Sequence, residues 1–454
     1  MEKRKMFSGH LGFILATAGS AVGLGNLWRF PTLATKYGGG IFVLLYVVFV
    51  VTIGFSLVLT EAAIGRKFHC NAVDAYRKIN SKFTFLGYIA VLVAFFILSY
   101  YCVIGGWILK FITVYCSGNG FLAAEDGFFG GFVSENTEPL LFQALFVLFN
   151  ILVVMLGVQN GVERLNKILM PALILLSVVV SIFAMRMEGA LTGLRYYLFP
   201  DVSKLSLNAV LAALGQMFFS LSLGMGVTIT YGSYVRKDID LEKATGKIEI
   251  FDTGIALLAG FMVIPGIFAV FSSSPEELEN ALQAGSGLVF LTLPKVFARM
   301  PFSSWLGAAF FLLIFFAALT SSIALMETAI SVWKEKLHWR RRSCAVTVGL
   351  LAFLAGIPAS LGYGVWDSVS VLGMNILDFT DFCANQLLMP FGAMMTCILV
   401  SYLWGTHHLT DEIKKSSAFR REKQYLIFLK YITPAAVAAT LISSVLNAAG
   451  IINL

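Results

Sequence analysis

An all-α polytopic membrane protein with eleven transmembrane helices is the fold class this sequence predicts, and three observations predict it. Of the 454 residues, 58% are hydrophobic and 13% charged, against roughly 45–50% and about 25% in ordinary soluble domains. A mean hydropathy of +0.82 leaves too little polar surface to face water, so lipid is the solvent for most of the chain. Apolar runs of about 20 residues, the length that crosses roughly 30 Å of hydrocarbon as a helix, recur from end to end. Lysine and arginine gather in alternate connections, as cytoplasmic loops require. Together these exclude a cytosolic enzyme, a disulfide-stapled secreted domain and a disordered chain. An outer-membrane barrel would instead alternate polarity at every second residue over about ten residues.

In order, spans are predicted at residues 11–36, 40–64, 85–115, 140–156 and 165–185, then at 207–235, 254–271, 305–332, 344–357 and 369–403, with a last one at 427–449. The ninth has the shortest apolar core. Ten of them form two five-span repeats, residues 1–198 and 199–405, which leaves 406–454 for an inner loop and an extra C-terminal helix. With the N-terminus cytoplasmic, the inner segments hold 25 of the 33 lysines and arginines. The net charge of +7 is therefore a positive-inside bias rather than a nucleic-acid patch, and no nucleic-acid partner is expected. The opening MEKRKM runs into apolar sequence without a cleavage signal and reads as the start of a retained first span. Cys70, Cys102, Cys116, Cys344, Cys383 and Cys397 show neither a CxxC pair nor metal spacing, so no disulfide and no zinc site are expected.

The first span carries Gly19-Ser20-Ala21-Val22-Gly23-Leu24-Gly25-Asn26. Each glycine costs about 1 kcal/mol against alanine in a helix, and Asn26, Arg29 and Pro31 follow at membrane depth. A break there survives only where its free backbone groups line a cavity or bind something. Gly19 and Gly23 also form a GxxxG that could serve close helix packing, but that explains neither Gly25 nor Asn26. Five spans later comes Ser220-Leu221-Ser222-Leu223-Gly224-Met225-Gly226. Two interrupted spans at corresponding places in two halves point to inverted repeats and a transport site at the midplane. Amides at one half-helix end can hold a carboxylate, and carbonyls at the other a cation.

Glu61, Asp252, Glu327 and Asp381 lie in or beside apolar runs, where an acid costs at least about 2.5–3.5 kcal/mol. Glu61 reads best as a hydrogen-bond acceptor for amides at a helix break, and Glu327 as an interhelical partner near the inner end. Asp252 reads as an ion ligand and Asp381 as a gate. Thr320 and Ser321 lie together at membrane depth in the eighth span. Their hydroxyls either bond to preceding carbonyls or complete a sodium shell of hard oxygens.

These strings resemble the neurotransmitter:sodium symporter family: residues 19–31 (GSAVGLGNLWRFP), 60–66 (TEAAIGR), 216–226 (QMFFSLSLGMG), 231–238 (YGSYVRKD), 287–297 (GLVFLTLPKVF) and 319–324 (LTSSIA). The likeness runs nearly the whole length, and is nearest to bacterial eleven-span members that carry hydrophobic amino acids. It implies a first sodium site at Ala21, Asn26, Ser220 and Asp252 with the substrate carboxylate. A second would use Gly19, Val22, Ala317, Thr320 and Ser321. The Asp252 position is usually Asn in the family, and chloride-dependent members have Ser where this chain has Ala256. A resident carboxylate in place of the anion implies no need for chloride.

By the same resemblance the substrate pocket comprises Ala21, Leu24, Gly25, Ile97, Tyr101, Phe219, Ser220, Ser222, Met225, Ser321 and Leu325. Tyr101 and the amides of Leu24 and Gly25 would take the carboxylate, with Tyr100 as packing. Met225 stands where members often carry Phe. It either adapts the pocket to varied shapes or is a core residue. Arg29 and Asp381 would form the outer gate under a lid of Tyr101 and Phe219, and Arg4 and Glu335 the inner gate near Ser233 and Tyr234. Residues 274–300 would cap the outer vestibule. Local unwinding between Gly161 and Pro171, which lacks an amide, would hydrate the second sodium site from inside.

The implied activity is alternating-access symport of neutral hydrophobic and aromatic L-amino acids with two sodium ions, in a bacterial inner membrane and with no obligatory protein partner. An amino-acid sensor or a sodium channel is the alternative. An enzyme is not expected, since neither HExxH nor GxSxG occurs.

Overall fold

The computed structural model describes residues 6–283 and 285–448. Nine helices among the described residues are long and apolar enough to cross a membrane, and a bent pair makes ten. That pair is α1 (His10–Ala21) and α2 (Gly25–Lys36), which meet at 50°. There follow α3 (Gly40–Phe68), α4 (Ser81–Cys116), α5 (Glu138–Met155) and α6 (Val158–Met185). A second interrupted pair comes next, α7 (Leu207–Ser220) and α8 (Val227–Gly232). The remainder are α9 (Leu241–Phe271), α10 (Ser303–Leu337), α11 (Arg341–Leu361), α12 (Ile376–Trp404) and α13 (Glu422–Ala448). The predicted sixth crossing thus rests on α7 and α8, neither of which is long enough to cross alone.

Most boundaries fall within a few residues of those read from hydropathy. Two do not. The seventh span begins at Leu241 rather than 254, because Asp240 caps it, accepting from the Lys243 amide at 3.1 Å. Its polar first turns reach beyond the apolar layer, where hydropathy is blind. The tenth begins at Ile376 rather than 369. Asn375 caps it through the Asp378 amide at 2.8 Å, and the segment before it is turns closed by a Val371–Met374 bridge.

The layering follows from which helices have an unbroken apolar circumference. In their most apolar stretches α10 is 83% and α4 72% buried, whereas α5 is 33% and α13 22% buried. On α5 and at its C-terminal cap the side chains of Leu141, Leu145, Leu148, Leu152 and Leu156 face outward. Their spacing of three or four residues paints one stripe that suits lipid and no other solvent. α10 packs along α4 and also lies against the broken α1 and α8, which touch each other, so the two interruptions meet beside α10 at the centre of the molecule. The segment 274–300 forms short helices at Pro275–Leu282 and Thr292–Ala298. From it Phe290 stacks on Phe129 and meets Trp28 and Trp107 edge-on. Val158–Glu163 is wound as a π-helix running into the α-helix that contains Pro171, so no unwound turn separates Gly161 from Pro171 in this conformation.

Candidate functional site

Both predicted interruptions are present. After Ala21 the backbone turns extended at Val22, with ψ of 100°, and helical winding resumes at Gly25. The second gap spans Leu221 to Gly226, with Ser222, Gly224 and Gly226 at φ of 53°, 71° and 71°. Glycine takes this left-handed region without penalty, but Ser222 does not, so its conformation is held by its surroundings. Glu61 is one of the groups that hold it: its Oε1 accepts from the freed amide of Gly224 at 2.8 Å. That is the role read for this acid from the sequence.

Three of the residues assigned to the first sodium site converge on a single point. Asn26 Nδ2 donates to Ser220 Oγ at 3.0 Å, to the Asp252 carbonyl at 3.0 Å and to Asp252 Oδ1 at 2.8 Å. Ser220 Oγ lies 2.9 Å from both carboxylate oxygens of Asp252. All three side chains are buried. Tyr46, which the sequence reading passed over, donates its hydroxyl to Asp252 Oδ2 at 2.9 Å. A tyrosine in the middle of an apolar run needs a polar partner for its hydroxyl, and that was the available signal. The groups that bond Asp252 are all neutral.

The second cluster joins α10 to the end of α1. Ser321 Oγ donates to the Ser20 carbonyl at 3.0 Å and to that of Val22 at 3.3 Å. Thr320 Oγ1 donates to its own helix, to Phe316 and Ala317 carbonyls at 3.0 and 3.1 Å. Thr320 is therefore back-bonded within its own helix, whereas Ser321 bonds across to carbonyls at the first interruption.

Between the breaks lies a small cavity lined by Ala21, Gly25, Ile97, Tyr101, Phe219, Ser222, Met225, Ser321 and Leu325, together with the unforeseen Ser20, Val227 and Ala324. Only about 10 Å³ is open to the centre of a water-sized sphere, roughly the room of one water. Ser220 faces the first cluster rather than this cavity. Leu24 contributes its main chain, since the Tyr101 hydroxyl lies beside the backbone amides of Leu24 and Gly25. A Cβ at Gly25 would stand 2.8 Å from the Phe219 ring, so the lid closes only over glycine.

The cavity is shut on both sides. Outside, the Tyr101 and Phe219 rings lie 6.5 Å apart, and the Arg29 guanidinium sits 5.0 Å from the Phe219 ring centre and 3.7 Å from Asp381. Tyr100 does more than pack, because its hydroxyl accepts from Asn385 at 3.0 Å while the same amide nitrogen bonds Asp381. On the inner side Glu327 takes the Tyr234 hydroxyl at 2.9 Å and pairs with Arg341. Phe7 is buried against Tyr231 and Tyr234. Glu335 accepts from Asn71 at 2.5 Å. Its expected partner Arg4 lies outside the described residues.

The Sodium:neurotransmitter symporter family profile matches residues 4–119 and 135–451. The chain is 35% identical to the uncharacterized sodium-dependent transporter YhdH of Bacillus subtilis, over 96% of each chain. It is 24% identical to the human sodium- and chloride-dependent GABA transporter 2, over 98% of this chain and 80% of that one. Among solved structures it is similar to MhsT in complex with L-phenylalanine, with a TM-score of 0.89, 38% identity, and coverage of 97% of this chain and 100% of that one.

Proposed function

This chain belongs to the sodium:neurotransmitter symporter family, and on that premise we propose that it moves neutral hydrophobic and aromatic L-amino acids inward with two sodium ions and without chloride. It is a multi-pass membrane transporter that uses sodium, not an enzyme.

The observation that carries the substrate class is the polarity of the closed cavity. At one end, the Tyr101 hydroxyl lies beside the backbone amides of Leu24 and Gly25. A carboxylate entering there would take over those amides and receive the Tyr101 proton in a hydrogen bond. At the other end Ile97, Phe219, Met225, Ala324 and Leu325 offer no formal charge, which disfavours Asp, Glu, Lys and Arg. Asn26, Ser220 and Asp252, beside Ala21, would hold one sodium ion against that carboxylate, so that cargo and ion bind together. Gly19, Val22, Ala317, Thr320 and Ser321 would hold the other. Asp252 supplies in the chain itself the negative charge that an anion would otherwise bring. The positive-inside pattern supports a cytoplasmic N-terminus, and the likeness to bacterial transporters supports a bacterial inner membrane.

Each charge crossing is worth about 2.3 kcal/mol per 100 mV. Two ions supply about 4.6 kcal/mol, or roughly three decades of accumulation at 1.4 kcal/mol each. The test is uptake by proteoliposomes of all twenty radiolabelled amino acids, with sodium against potassium outside and chloride against gluconate. Sodium-dependent uptake of bulky aliphatic and aromatic substrates, indifferent to chloride, is expected. Uptake of charged amino acids or a chloride requirement overturns the reading, and binding without uptake identifies a sensor instead. Tyr101→Phe is expected to weaken substrate binding about tenfold through one lost hydrogen bond, which equilibrium binding at saturating sodium measures.

A further inference from the structure

Asn166 of α6 is wholly buried. Its amide nitrogen donates to the Val162 carbonyl one turn earlier at 2.8 Å. That bond settles which way the amide faces, since the flipped orientation would oppose two acceptors. Oδ1 is thereby turned away from its own helix, and it has no hydrogen-bond partner among the described residues. It faces α1 at Gly19, where an added Cβ would stand 1.8 Å from it. The amide oxygen thus fills the space a side chain on α1 would need, hard against the residue whose carbonyl heads the second set of sodium oxygens.

A buried acceptor left unpaired costs about 1–3 kcal/mol, and such a group calls for an explanation. A hard cation that prefers oxygen supplies one. The hydroxyls of Ser321 and Thr320 now donate to carbonyls and would have to rotate their protons away to receive an ion. The oxygen of Asn166 accepts only and needs no such rearrangement.

We propose that Asn166 Oδ1 is an oxygen ligand of the second sodium ion, contributed by α6. This rests on the second-site reading given above. It makes the ion a joint between three helices, α1, α6 and α10. The same helix α6 is already tied to the start of α1, where Glu163 accepts from the Ser8 amide at 3.0 Å and from Lys167 at 2.7 Å. Sodium occupancy and the position of α6 against α1 are then one equilibrium, and α6 must shift before the ion leaves inward.

The experiment titrates sodium alone, with choline as the ionic-strength control, and follows thermal stabilisation of the purified full chain in the absence of any amino acid. The Asp252→Asn background isolates the second ion. Asn166→Ala and Asn166→Leu are expected to raise the half-saturating sodium concentration about tenfold, whereas Asn166→Asp, which keeps an oxygen there, stays at or below the parent value. A packing role would give the opposite order, with Leu tolerated and Asp harmful, and that order overturns the proposal. So does a parental titration in both apolar variants. Thr320→Ala separates the two levels. If it shifts sodium binding and Asn166→Ala does not, Asn166 is no ligand; if Thr320→Ala also has no effect, the second site itself is misplaced. Gel-filtration profiles establish that each variant is folded, and should Asn166→Leu aggregate, the contrast between Ala and Asp decides.

Discussion

Asp252→Asn is expected to raise the sodium concentration for half-maximal substrate binding at least tenfold in chloride-free buffer. The substitution keeps the size of the side chain and removes its charge. In the folded protein that carboxylate is buried, and its partners Asn26, Ser220 and Tyr46 are all neutral. A carboxylate so placed is short of a positive charge, and a sodium ion provides it. Hydrogen bonds and contacts that involve a charge are worth about 1.5–3 kcal/mol, which corresponds to roughly one to two decades of affinity. Chloride is expected to restore part of the loss in the variant while leaving the parent unchanged, because an external anion can then stand in for the missing charge. A sodium titration coinciding with that of the parent would place the carboxylate away from the ion.

The largest effect on stability is expected at Arg66. Its guanidinium is buried at the inner end of α3. There it meets Glu412 Oε1 at 3.0 Å, the Ile239 carbonyl at 2.7 Å and Ser416 Oγ at 3.2 Å, and also donates to the Glu412 carbonyl. One side chain therefore fastens α3, the turn before α9 and the inner helix His407–Lys414. Removing one partner of a buried pair strands the other, at about 3–5 kcal/mol. Arg66→Met should lower the melting temperature in detergent by several degrees, even though Lys415 still reaches Glu412 Oε2 at 2.6 Å. Adding Glu412→Met should recover part of the loss, since the stranded charge goes with it. Equal melting of parent and single variant would mean that the pair contributes nothing net.

Much of the architecture was legible along the chain because the bilayer imposes a one-dimensional rule. Each crossing needs its own apolar run, and every glycine-rich gap in such a run must have a reason. The two gaps, the capping acid Glu61, and the convergence of Asn26, Ser220 and Asp252 all follow from that rule together with the family likeness. The starts of α9 and α12 were not legible, because Asp240 and Asn375 set them through capping bonds outside the apolar layer. Tyr46 was overlooked for a related reason. Its phenol ring satisfies hydropathy, and only its partner, 206 positions away, shows that the hydroxyl is used.

By itself, then, the sequence determined the solvent, the crossings and the two places where the backbone must unwind, since these depend on composition within twenty residues. Tertiary structure alone decided which distant groups meet: Tyr46 on Asp252, Asn166 against Gly19, Asn385 between Tyr100 and Asp381, and Arg66 on Glu412. Local pattern records the medium a segment lies in, whereas the partner of a buried polar atom is chosen by packing among helices far apart in the chain.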